Sequence, residues 1–162
     1  MELYGKPIKR HESIVQFSRE HHFGLLLIWK IRQGLKANIE PKRIYDYVLF
    51  FFDEDLKAHF AEEERVLFPK LNDGDALKQQ ALSEHTKIYQ LIADVKGNNF
   101  YPELLPMFAD TLEKHIRFEE RILFNYLQNK LSEDELVALA NEHPVRETNV
   151  DVNWDDHFWI PK

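Results

Sequence analysis

Four long stretches of the chain repeat their apolar residues every three or four positions, and each is closed by residues that a helix interior rejects. The first runs from about Glu12 to Lys36, with Ile14, Phe17, His21, Leu25, Ile28, Arg32 and Leu35 in step and Ser13 placed to cap it. Asn38 ends it, and Pro41 suits the first turn of the next helix, where a missing N–H costs nothing. The second stretch reaches about Phe68 and stops at Pro69 and the turn residues NDGD. The third, from near Asp75 to Val95, carries Leu82, His85, Ile88, Leu91, Ile92 and Val95 on one face and ends at GNN, residues 97–99. The fourth runs from about Tyr101 to Lys130, with Pro102 and Pro106 near its start. Ser132 with Glu135 forms a capping-box pair opening a short fifth helix to about Asn141. No segment alternates with period two. These spacings predict an all-α chain: an up-down-up-down four-helix bundle with a short fifth helix and a C-terminal tail.

A length of 162 residues suits one domain with a substantial core. The net charge of −7 offers no footprint for nucleic acid or an anionic membrane surface. The apolar runs Phe23 to Trp29 and Val48 to Phe52 are too short to span a bilayer. The opening MELYGKPIKRHES lacks the apolar run of a secretory leader, so a cytoplasmic location is expected. There is no cysteine, which excludes disulfides, thiolate zinc sites, Cys-ligated iron–sulfur clusters and a Cys nucleophile. Redox chemistry would therefore need a bound metal or cofactor. Against that background, eight histidines are many, and several fall inside helical stripes.

A short repeat carries the chemistry. HFAEEERVLF (59–68) aligns with HIRFEERILF (115–124), matching His, Glu, Glu, Arg, Leu and Phe. Each copy sets a His four residues before a Glu: His59 with Glu63, and His115 with Glu119. On an α-helix that spacing is about 400° and 6 Å, so both side chains leave the same face one turn apart. The face is apolar: Phe52, Leu56 and Val66 flank the first pair, and Phe108, Leu112 and Ile122 the second. Charged groups in such a stripe are costly unless paired or metal-bound. His21, in line with Phe17 and Ile28, and His85, in line with Leu82 and Ile92, add one imidazole from each remaining helix. Both follow a Glu, in REH and SEH. Four imidazoles and two carboxylates without thiolate suit iron, manganese or zinc. The ferritin-like di-iron pattern needs a Glu three residues before a His, and no His here has one.

In this order, His21, His59-x-x-x-Glu63, His85 and His115-x-x-x-Glu119, the chain resembles the hemerythrin-like (HHE cation-binding) domain. The resemblance covers roughly residues 10–130 and places the bundle domain at 1–141, with its core at 12–130, and the tail packing on it at 142–162. It implies a binuclear non-haem centre of two iron ions with an oxo or hydroxo bridge, manganese or zinc being possible substitutes. Glu63 and Glu119 would bridge, and His21, His59, His85 and His115 would be terminal ligands. Oxygen-carrying members have a His where this chain has Ala81, and an Asp five residues after the fourth-helix His, where this chain has Glu120 after Glu119. The internal repeat favours Glu119, with Glu120 as the alternative. Counting two six-coordinate irons leaves about two open positions, which suits binding of nitric oxide or peroxide, or iron handling, better than O₂ carriage.

Other residues read as follows. His22 is turned about 100° from His21 and would face a neighbouring helix. His11, His143 and His157 lie outside the stripes and read as surface or packing residues; Glu62 and Glu64 read as solvated. Trp154, Phe158, Trp159 and Ile160 form an apolar cluster expected to fold back on the bundle, with a lid over the metal pocket or a partner-binding strip as the alternative. No acid–base dyad, nucleophile arrangement or glycine-rich phosphate loop is present, so no catalytic residue is assigned. Three functions stay open. One is a metal protein binding O₂, NO or peroxide, or handling iron, in stress response or sensing. The second is an enzyme reducing peroxide or nitric oxide with the same centre. The third is a metal-free helical interaction domain. The protein partner is not legible.

Overall fold

A computed structural model describes residues 9–143 and 149–161. Five α-helices and no strand are present among them. Helix α1 spans Glu12–Lys36. Helix α2 starts at Pro41–Phe51 and continues as Lys57–Glu62; α3 is Ala76–Lys96; α4 is Leu104–Phe118 continuing as Phe124–Lys130; and α5 is Glu133–Ala140. The four-helix bundle with its short fifth helix is thus the architecture.

The punctuation works largely as its chemistry demands. Asn38 and Asn98 take positive φ (54° and 57°) just beyond α1 and α3, the left-handed conformation that Asn tolerates at a helix end. Asp75 caps α3 by accepting from the Leu77 and Lys78 N–H groups, and Ser132 with Glu135 forms the full capping box of α5. Pro106 lies in the first turn of α4, where it removes no helix hydrogen bond. Two expectations fail. His11, not Ser13, caps α1, its Nδ1 accepting from the Ser13 N–H at 3.0 Å. Leu25 is exposed, because α1 instead turns Gly24, Leu27, Ile28 and Ile31 inward. Gly24 sits so close to α4 that a Cβ there would lie 2.9 Å from Ile116 Cδ1.

The sequence reading also missed three π turns: Phe52–Leu56 and Glu63–Leu67 in α2, and Glu119–Leu123 in α4. In the last two, the N–H of Phe68 reaches back to the Glu63 carbonyl, and that of Phe124 to the Glu119 carbonyl. Each accommodates one extra residue and widens the helix, so Glu63, Val66, Leu67 and Phe68 are all buried.

Apolar packing divides into two clusters. Leu27, Phe60, Ile88, Leu112 and Ile116 belong to the larger. Phe17, Val66, Ala81, Leu123 and Phe124 belong to the smaller. Each long helix contributes to both and carries its buried His between them.

Residues 149–161 pack on the larger cluster through Phe158, with Trp154 and Trp159 half-buried beside it. Gly34 makes room: a Cβ there would meet Phe158 Cε2 at 2.8 Å. Polar contacts fix the segment. Asp151 takes the Lys30 ammonium and, at 2.5 Å, the Tyr47 hydroxyl, while Arg43 donates twice to Asp156 at 2.7 and 2.8 Å. Ile160 is exposed, contrary to expectation. Gly34 is thirteen residues along α1 from His21, about 20 Å at the rise of an α-helix. Phe158 therefore braces the far end of the bundle, while Asp151 lies nearer, on Lys30, nine residues along α1 from His21, about 14 Å.

Candidate metal centre

His21, His59, Glu63, His85, His115 and Glu119, one or two from each long helix, converge at the boundary between the two apolar clusters, and all six are buried. They form two overlapping groups, His21–His59–Glu63–Glu119 and Glu63–His85–His115–Glu119. Within each, one nitrogen or oxygen per residue lies within 4.8 Å of all the others. Glu63 and Glu119 belong to both groups, so the arrangement offers two adjacent positions that share two carboxylates.

The shortest inward distances are 3.0 Å from His21 Nε2 to Glu119 Oε1 and 3.2 Å from His115 Nε2 to the same oxygen. His85 and His59 place their Nε2 atoms 3.2 and 3.4 Å from Glu63 Oε1. The His rings pair edge to face, His21 with His59 at 4.9 Å between centroids and His85 with His115 at 4.8 Å. Phe124 stacks on His21, and Phe60 on His85, walling the cluster with aromatic carbon.

Every one of the four imidazoles has a carboxylate behind it. Nδ1 of His21 meets Glu120 at 2.6 Å, His59 meets Glu20 at 2.8 Å, His85 meets Glu64 at 3.2 Å and His115 meets Glu84 at 2.7 Å. A carboxylate accepts, so each Nδ1 carries a proton, which leaves Nε2 as the inward, metal-facing nitrogen; Nε2 of His21 meets Glu119 Oε1 at 3.0 Å as a hydrogen bond, and a metal there would take the place of its proton. The arrangement extends the internal repeat. Gln16-x-x-x-Glu20-His21 on α1 matches Gln80-x-x-x-Glu84-His85 on α3, and both glutamines donate to their own helix's Glu, at 3.1 and 2.9 Å. In each half, the Glu before one His supports the His of the next helix. The Glu after the shared carboxylate supports a His of the other half or the next helix.

Electrostatics make this a poor place for a protein to be left alone. Nε2 of His59, His85 and His115, both oxygens of Glu63 and Oε2 of Glu119 are buried without a hydrogen-bond partner among the described residues. Burial, then the neighbouring Glu119 charge, drives Glu63 well above the ordinary carboxylate range. Burial pushes Glu119 the same way, but His115 and His21 overcome it and hold this carboxyl well below that range. Burial also lowers His59, to about 4, against the opposing pull of Glu20. Burial would lower His115 too, yet Glu119 and Glu84 raise it to about 9. Adjacent carboxylates thus compete for charge, and the inward nitrogens of three imidazoles have no hydrogen-bond partner among the described residues. A cation at each shared position fits both defects, and the N/O donor set without sulfur suits iron, manganese or zinc.

The residues read from sequence as bystanders divide. His22 is exposed, its ring against Phe23, and reaches no cluster atom. Glu120 is behind His21, in the outer ring of carboxylates. Glu64 is not simply solvated: it binds His85 and, at 3.3 Å, accepts from Tyr89. Glu62 is likewise engaged, by Arg65 at 2.7 Å and His143 at 3.1 Å. His143 is buried and meets Glu20, a contact that apolar periodicity could not reveal because the residue follows α5 in a turn. His157 is exposed and stacks on Trp159.

The family model for the hemerythrin HHE cation binding domain matches residues 13–127. A curated relative, a DNA nickase from Nostoc sp. (strain PCC 7120 / SAG 25.82 / UTEX 2576), is 25% identical over 122 residues. The match takes in 72% of this chain and 34% of that protein, so the chain spans about a third of its relative's length. No solved structure matches the chain.

Proposed function

The chain belongs to the hemerythrin HHE cation-binding family, and from that premise we propose that it is a binuclear non-haem iron protein that binds a small ligand such as nitric oxide, peroxide or O₂ in sensing, stress response or iron handling. The observation that carries the reading is the sharing of Glu63 and Glu119 between two buried groups, each completed by two imidazoles. His21 and His59 would hold one iron and His85 and His115 the other, with both carboxylates bridging. Bound iron would supply a redox-active Lewis acid to which a diatomic ligand or peroxide attaches.

The chain's own residues would do the rest. Glu20, Glu64, Glu84 and Glu120 orient the four rings and hold a proton at each Nδ1, so that Nε2 is the atom left to face a metal. Phe60 and Phe124 exclude water from the ring faces. Two imidazoles per position leave more room for an exogenous ligand than a five-histidine set would, which favours reactive small ligands over simple O₂ carriage. The net charge of −7 gives no support to carrying DNA nicking over from the Nostoc relative.

Ferrous protein mixed anaerobically with nitric oxide tests the reading. An absorption and electron-paramagnetic change that saturates with about two irons per chain is expected, one for each group. Iron-loaded protein whose spectrum ignores NO, peroxide and O₂ alike would refute it. Sustained peroxide or NO consumption with an added reductant would move the function to catalysis at the same centre.

A further inference from the structure

Three of the four outer carboxylates end at solvent and one does not. The side chains of Glu64, Glu84 and Glu120 are 37%, 25% and 31% exposed, whereas that of Glu20 is 1% exposed. Glu20 and Glu84 are otherwise counterparts, each supporting a His on the next helix and each taking a glutamine from four residues earlier. The difference is His143. Its side chain is 1% exposed, and Nε2 lies 2.9 Å from Glu20 Oε2, while the other Glu20 oxygen holds His59 Nδ1 at 2.8 Å. The His143 ring is anchored on both sides of that contact. It stacks flat on Phe17, with centroids 3.8 Å apart and planes at 13°, and its Nδ1 meets Glu62 at 3.1 Å. Phe17 in turn lies edge-on to His59. His143 belongs to the turn after α5, outside residues 13–127 that carry the family match, and nothing in the repeat corresponds to it.

We propose that His143 is a positioning residue that clamps Glu20 against His59 and makes the His21/His59 position the more firmly held of the two metal positions. The inference rests on the binuclear reading above. Glu20 and Glu84 both have donors at both oxygens, but the second oxygen of Glu20 holds Gln16 and the buried His143, where that of Glu84 holds only the exposed Gln80. His115 therefore sits on a support that water can reach, and His59 on one sealed by protein, so that the His59 ring inherits the firmer orientation. The two halves of a near-symmetric centre thereby become inequivalent through a residue supplied from outside the repeat.

Cobalt(II) alone is the probe, titrated anaerobically into the full chain and followed by its visible ligand-field bands. The wild type should fill two positions in separable steps. His143→Ala leaves Glu20, the direct partner of His59, in place and should weaken one step by about 10-fold, the low end of the range for loss of an outer partner. The other step should stay within about threefold. His143→Gln, which can still donate to Glu20, should recover most of the loss, and His143→Phe, which keeps only the stacking, should not. Two wild-type-like steps in the Ala or Phe variant would overturn the proposal, as would equal weakening of both steps. If circular dichroism shows that the Ala variant has lost helix, the Gln and Phe pair decides. A wild type that takes up no cobalt, iron or zinc would instead bring down the binuclear reading on which the proposal depends.

Discussion

The two halves of the centre carry the same apparatus in different surroundings. On α1 and α2 a glutamine, a glutamate and two histidines lead to Glu63; on α3 and α4 the same residues, at the same spacing within each helix, lead to Glu119. The halves share their inward donors, their outer carboxylates and even the π turn that begins at each shared Glu. They differ where unrepeated chain intervenes, because His143 seals Glu20 whereas the Glu84 side chain meets solvent. Repetition therefore sets which atoms face the cluster, and the chain beyond the repeat sets how firmly each half is held.

The harshest way to break the comparison is to remove what the halves have in common. Glu63→Ala and Glu119→Ala together should abolish binding of both ions, because both groups lose two donors at once. His59→Ala should spare the second position far better. Full metal content in the double variant would show that the carboxylates are not shared.

Next in size is a separation of the two unrepeated additions. Phe158→Ala removes the anchor of residues 149–161 and should destabilise the fold by about 3–5 kcal/mol, as for other buried aromatic truncations. Metal stoichiometry of the folded variant should not change, since Phe158 packs at Gly34, about 20 Å along α1 from His21. Thermal melting with metal analysis checks both halves of that statement, and metal loss from still-folded protein would contradict it.

A smaller, pH-dependent effect sharpens the contrast at Glu20. Burial alone would lower the His143 pKa, but Glu20 from α1 and Glu62 from α2 outweigh it and raise it above its usual value; Arg65, bound to Glu62, is the nearby cation. A raised folded-state value means stabilisation that is complete below the unfolded value near 6.5 and fades as pH rises through the folded one. In metal-free protein, the stability difference between wild type and His143→Gln should therefore be largest near pH 6 and shrink toward pH 9. Denaturant titrations across that range would reveal a flat or rising difference if the histidine enters the fold neutral. Smallest of all, His157→Ala should leave metal content unchanged, because that ring is exposed and packs on Trp159.

Helix periodicity and capping residues made the bundle legible, since most of its stabilisation is local or follows apolar spacing. The same periodicity brought His21, His59, Glu63, His85, His115 and Glu119 onto inward stripes, where the structure gathers them. What escaped was non-local or broke the period. The outer carboxylates act across helix boundaries, so their own helix phase points them away from the stripe; Glu64 read as solvated for that reason. Aligning Gln16-x-x-x-Glu20-His21 with Gln80-x-x-x-Glu84-His85 would have exposed two of them. The π turns break the 3.6-residue count without glycine or proline to mark them. His143 lies in a turn with no period at all, and only tertiary packing brings it to Glu20.

The sharing of two carboxylates by two metal ions is best tested by a crystal structure of the iron-loaded chain with anomalous diffraction at the iron edge. Two peaks are predicted, one beside His21 and His59 and one beside His85 and His115, each in contact with both Glu63 and Glu119. A single peak, or iron lying outside these six residues, would contradict the account.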